Sequence, residues 1–180
     1  MKIQVGSDSR WRWSTVVWGS AGLLLLLPLV AMQFSREVIW TGFDFLVFGG
    51  LLFCTCAFFE LAARSRASNL YRAALSVALL GAFLLVWVNL AVGIIGSADE
   101  PANLLFGGVL LVGLIGAAIE RLRPQGMALV LLAMALAQVL VSALAISAGW
   151  QHPLIAMVFF VGMWLLSALL FWKAAQEQGA

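Results

Sequence analysis

Residues 127–149 read MALVLLAMALAQVLVSALAISAG. None of them is charged, and Gln138 is the one amide in the run. At about 1.5 Å per residue a helix over this stretch is about 35 Å long, enough to cross a hydrocarbon core of about 30 Å. Its solvent is therefore lipid, and the rest of the chain has the same character. Hydrophobic residues make up 64% of the 180 positions and charged residues only 10%, too few to cover a water-soluble domain.

Working outward, six apolar segments emerge, at about 15–32, 39–63, 70–96, 104–119, 127–149 and 153–172. Short polar stretches separate them, such as Arg64-Ser65-Arg66 and Arg121-Leu122-Arg123-Pro124-Gln125-Gly126. Short connections place consecutive helices antiparallel in one bundle. The expected fold is an all-α membrane protein, a six-transmembrane-helix bundle over residues 15–172. Residues 1–14 form an N-terminal segment and 173–180 a tail. The first segment reads as a retained helix rather than a cleaved signal, because Leu29-Val30-Ala31 lacks the small residue a cleavage site needs.

Charge placement orients the bundle. With the N-terminus inside, Lys2, Arg10, Arg12, Arg64, Arg66, Arg72, Arg121, Arg123 and Lys173 are all cytoplasmic, and Arg36 alone is outside. Both termini are then cytoplasmic. Trp11, Trp13 and Trp172 mark the inner interface, and Trp40 and Trp150 the outer one. No basic run with interleaved aromatics supports nucleic-acid binding.

Polar residues inside the apolar segments are the candidate functional groups. Asp44 lies seven residues outward of the midpoint of 39–63, about 10 Å from the membrane centre. Asn89 lies six residues outward of the midpoint of 70–96, about 9 Å from the centre. It shares a helical face with Ala78, Ala82, Gly93 and Gly96, whose small side chains allow close helix approach. Gln138 lies near the midplane in line with Ala135, Ser142, Ala145 and Gly149, and Gly113, Gly116 and Ala117 form a small face on the fourth helix. Thr55 lies below Asp44 on the second. Two readings of Asp44, Asn89, Gln138, Ser142 and Thr55 stand open. They form an interhelical clasp, or they line a hydrated pocket with Asp44 as an outer cation or proton site.

Glu60 with Arg64, and Glu120 with Arg123, suit ion pairs at the inner face. Ser97 or Asp99 can cap the fourth helix. Cys54 and Cys56 point about 200° apart on a helix and read as structural thiols, not metal ligands. His152, in an outer turn, has no partner ligands nearby in sequence for zinc or haem. No catalytic motif, metal cluster or cofactor-binding loop is legible, so no catalytic, metal or cofactor residue is assigned. Phe48-Gly49-Gly50 and Phe106-Gly107-Gly108, each followed by an acid and an Arg-x-Arg, form a weak internal echo that chance or shared packing also explains.

Several strings together resemble a group of small, uncharacterised bacterial inner-membrane proteins. They are Trp40 with Phe43-Asp44-Phe45, Glu60-Leu61-Ala62, Tyr71-Arg72, 87–96 (WVNLAVGIIG), Pro101-Ala102-Asn103-Leu104 and 123–128 (RPQGMA). The resemblance spans helices two to five and implies a bacterial plasma membrane, with no activity attached. Composition and resemblance together lead to an expectation of a non-enzymatic structural, accessory or assembly component. Its partners would be the lipid bilayer and a homo-oligomer or larger membrane complex. The alternative is a small channel or transporter for a proton, cation or small solute, with Asp44 and Asn89 at its outer mouth.

Overall fold

A computed structural model describes residues 6–34, 39–63, 68–97, 100–150 and 154–179. Six α-helices run in order: α1 Gly6–Phe34, α2 Gly42–Ala63, α3 Asn69–Ala91, α4 Leu104–Ile119, α5 Pro124–Ser147 and α6 Leu154–Gly179. A short 3-10 turn, Pro101–Asn103, leads into α4. No strand occurs among the described residues. All six helices are long and apolar enough to cross a bilayer. The protein is a six-helix membrane protein.

The chain divides into two compact units, residues 1–61 with α1 and α2, and residues 62–180 with α3 to α6. In the first unit, Trp18 of α1 donates its indole N–H to a Glu60 carboxylate oxygen at 2.8 Å and meets Phe53 edge to face. Cys56 is buried with its sulfur 3.8 Å from the Val17 carbonyl, whereas Cys54 is exposed on the other side of α2. The thiols do diverge as the helical spacing requires, but only Cys56 has a structural setting.

In the second unit α5 packs most extensively on α6, α6 also packs on α3, and α4 packs on α5. Small residues permit these approaches. A Cβ on Gly81 would meet the Trp164 ring, one on Gly113 the Met134 thioether and one on Gly116 both methyls of Val130. Lipid supplies no hydrophobic drive between helices, so close van der Waals contact has to hold them, and that contact needs glycine here. The expected small face of α4 is the surface that receives α5.

The helix ends differ from the sequence expectation in three places. The helix α1 begins well before residue 15 and continues through Pro28, and α6 runs on to Gly179 instead of ending near 172. Polar residues at these ends read as loop by hydropathy yet prolong a helix at the interface. Conversely, α3 stops at Ala91, not at Gly96. Gly93 and Gly96 adopt φ of +78° and +66°, a left-handed conformation that ends the helix. They therefore cannot extend the small face carrying Asn89. The turn between α4 and α5 has the same geometry without glycine, because Arg121 and Leu122 take φ of 49° and 60°. Leu122 N–H donates to the Ala117 carbonyl and Arg121 N–H to that of Ala118, closing α4 with its last carbonyls bonded.

Two predictions follow from this packing. Gly116→Leu should destabilise by about 1–3 kcal/mol through overpacking against Val130, whereas Gly107→Leu, with open space around it, should leave the melting temperature unchanged. Arg121→Gly should raise the melting temperature, since it relieves a left-handed residue costing roughly 1 kcal/mol. Thermal unfolding in detergent, followed by tryptophan fluorescence, measures both.

Candidate functional site

The N-terminal end of α2 is built by the stretch Trp40-Thr41-Gly42-Phe43-Asp44-Phe45. Thr41 precedes the first helical residue, and its hydroxyl accepts the Asp44 N–H at 3.3 Å. One Asp44 carboxylate oxygen in turn accepts the Thr41 backbone N–H at 2.7 Å and the Thr41 hydroxyl at 2.8 Å. This is a reciprocal capping box, with Asp in the place where Glu or Gln is usual. The Trp40 ring rests on Phe45 at 5.2 Å between centroids, the apolar staple that accompanies such a box. A negative carboxylate at the positive end of a helix dipole is favourable as well.

This geometry revises the depth of Asp44. Because α2 begins at Gly42, Asp44 lies about 13 Å from the helix midpoint at about 1.5 Å per residue, close to the limit of a core about 30 Å thick. The carboxylate is in the first turn of the helix, where its charge has a structural use. Thr55, placed below it by sequence, donates its hydroxyl to the Leu51 carbonyl of its own helix at 2.8 Å.

Asn89 moves outward for a related reason. With α3 ending at Ala91, it lies about 13 Å from that helix's midpoint and within the last turn. Its Nδ2 donates to the Leu85 carbonyl at 2.8 Å, and its Oδ1 is enclosed without a partner. Asp44 and Thr55 belong to the first unit, and Asn89, Gln138 and Ser142 to the second.

Within the second unit the expected α5 face is present. Gln138, Ser142 and Ala145 are fully enclosed, and Ala135 nearly so. Gln138 and Ser142 stand four residues apart, one above the other on the same face. Both atoms of the Gln138 amide and the Ser142 hydroxyl have no hydrogen-bond partner among the protein's own groups. Among the five sequence-derived candidates, these two are the pair the fold brings together. Gly149 lies beyond the end of α5 with φ of +73° and terminates that helix.

Of the residues expected at the inner face, Glu60 bonds Trp18 as described, and Arg64 lies outside the described residues. Glu120 and Arg123 meet through the backbone, Arg123 N–H donating to the Glu120 carbonyl at 3.0 Å, and no ion pair joins their side chains. The Glu120 carboxylate instead lies over Gly126, in space a Cβ there would occupy. His152 and Asp99 also fall outside the described residues. Ser97 caps nothing with its side chain; it contributes its carbonyl, which accepts from Glu100 N–H at 3.1 Å.

Three further polar residues carry structure that hydropathy does not reveal. Asn103 is 8% exposed, and its Oδ1 accepts the N–H groups of Ile94 at 3.0 Å and Ile95 at 2.9 Å. Its Nδ2 donates to the carbonyls of Ile95 at 3.1 Å and Ser97 at 2.7 Å. One amide thus satisfies four backbone groups of the unwound segment after α3, and Ile95 is buried there. The Tyr71 hydroxyl donates to the Leu122 carbonyl at 2.9 Å, tying α3 to the left-handed turn after α4. Ser167 Oγ, fully enclosed, donates to the Ala74 carbonyl at 2.7 Å and joins α6 to α3. The sequence signal for Asn103 is Pro-Ala-Asn after Gly-x-x-Gly, as that for the Asp44 cap is Thr-x-x-Asp after a Trp. The Tyr71 and Ser167 bonds have no local signal.

Among the described residues no group of three or more His, Cys, Asp or Glu is placed to hold a metal ion. No family model matches the chain, and it has no match among curated proteins or solved structures.

Asn103→Ala should destabilise by roughly 2–4 kcal/mol, since it strands buried backbone donors and acceptors. Asp44→Ala should cost about 1 kcal/mol, the usual worth of a helix cap. Detergent-solubilised melting curves read both, and a larger loss at Asp44 than at Asn103 contradicts this ranking.

Proposed function

We propose that this protein is a non-catalytic structural, accessory or assembly component of a bacterial plasma membrane, acting through its helix faces. One observation carries the reading. The polar side chains with assigned bonds hold the protein's own architecture. Asp44 closes the start of α2, Glu60 joins α2 to α1, Asn103 binds the loop after α3, Tyr71 holds the α4–α5 turn and Ser167 links α6 to α3. An acid in a capping box and a serine donating to a helix carbonyl are arranged for support, not for turnover. The basic residues at 64, 66, 72, 121 and 123 support an orientation with both termini cytoplasmic. Such a protein acts by contact with a neighbour in the membrane, a second copy or a larger complex.

Affinity purification of the tagged full chain from native membranes in mild detergent tests this. A partner or a second copy should co-purify in fixed stoichiometry, and deletion should lower the amount of that complex. A lone monomer whose deletion alters no complex overturns the reading.

A second reading, a small channel or transporter for a proton, cation or small solute, draws support from the unpartnered, enclosed Asn89 Oδ1 and Gln138 amide. Proteoliposome flux assays with protons, cations and small solutes separate the two. The accessory reading expects equal background flux in wild type and Asp44→Asn. Flux that falls in the variant favours transport.

A further inference from the structure

Four of the enclosed, unpartnered polar atoms of the second unit lie on α5 and α6. Gln138 Oε1 and Nε2, Ser142 Oγ and Trp164 Nε1 all lack a hydrogen-bond partner among the protein's groups, and all three residues are 0% exposed. The two helices form an antiparallel pair joined across residues 148–153. Positions equally far from that turn lie at about equal depth, which sets Gln138 within one residue of the level of Trp164 and Ser142 within one residue of Phe160. The six-membered edge of the Trp164 indole lies against Gly81 of α3. Nε1 is on the other edge of the ring and therefore points away from Gly81.

Each of these atoms is a neutral hydrogen-bonding group. The amide offers two donors and an acceptor, the hydroxyl one donor and an acceptor, and the indole one donor. Burial without partners is unfavourable for every one of them, and more so in lipid, where bulk water offers no substitute. Charge is absent from the surroundings. Residues 73–97, 104–119, 127–150 and 154–172 contain no Asp, Glu, Lys or Arg. An anion would find no positive charge here, and a cation would face N–H donors. The guest that fits is neutral and both donates and accepts. It is also small, since Met134, Ala135 and Ala145, on the same stripe of α5, are themselves buried.

We infer that the Gln138–Ser142 face of α5, at nearly the depth of Trp164 on α6, is an internal hydration site that holds one or two ordered water molecules inside the membrane-spanning bundle. Buried waters typically make about three hydrogen bonds to such groups. A water here bonds the Gln138 amide and bridges toward the Ser142 hydroxyl and the Trp164 N–H. The site is separate from the accessory role above and holds whether or not the protein has a partner.

Proton-detected NMR of the full chain in lipid nanodiscs tests it, with water itself as the probe and glutamine and tryptophan side chains labelled with nitrogen-15. Gln138→Leu identifies the Gln138 amide signals by their loss, and Trp164→Phe identifies the indole signal. In otherwise wild-type protein both should show dipolar cross-peaks at the water frequency. The peak at Gln138 should persist in Ser142→Ala, where no hydroxyl is left to relay it. Absence of water cross-peaks at both groups, or their disappearance in Ser142→Ala, overturns the inference. The Trp164 signal supplies this reading even if substitution of Gln138 prevents folding.

Discussion

Every backbone N–H and carbonyl of this protein that leaves a helix inside or near lipid must find a partner within the chain. That constraint organises the structure, because unsatisfied backbone groups are far more costly in hydrocarbon than at a wet surface. The helices satisfy their own interiors. Their ends are satisfied by a small number of side chains, each placed at a break. Thr41 and Asp44 close the start of α2, Ser68 accepts the Tyr71 N–H at the start of α3, and Asn103 takes four groups of the segment that follows α3. The unwound residues 92–97 are tolerable at that depth because Asn103 supplies the bonds a continued helix would have made.

Packing within the α3–α6 unit depends on the same economy of polar groups. Glycines at 81, 113 and 116 let Trp164, Met134 and Val130 reach the backbone of the neighbouring helix. Two hydrogen bonds then fix the arrangement, Ser167 to Ala74 in the interior and Tyr71 to Leu122 at one end. Tyr71 also meets Phe171 edge to face, so α3, α6 and the α4–α5 turn converge on one ring. Shape and a few directional bonds supply the specificity here, since lipid gives no reason for apolar helices to prefer one another.

How much of this the sequence discloses depends on the length scale of the cause. Six helices follow from hydropathy because a long uncharged run has one physical destination. The inward face of α5 at Ala135, Gln138, Ser142 and Ala145 follows from helical periodicity. Helix ends do not, since a conformational property such as the left-handed φ of Gly93 leaves average hydropathy unchanged. Asp44 illustrates the difference. Hydropathy makes it an acid in oil seeking a distant partner, whereas the local pattern Thr-x-x-Asp places its partner three residues away. The bonds from Tyr71 and Ser167 span 51 and 93 positions and exist only once the helices have assembled.

The central claim, that single side chains stand in for missing helical hydrogen bonds where the chain breaks in lipid, is tested most directly at Asn103. Hydrogen–deuterium exchange of the backbone amides, resolved residue by residue in nanodiscs, reports the groups concerned. Ile94 and Ile95 should exchange as slowly as residues within α3 in the wild type. They should become fast in Asn103→Ala while residues 127–147 of α5 keep their protection. Loop-like exchange at Ile94 and Ile95 in the wild-type protein contradicts the account.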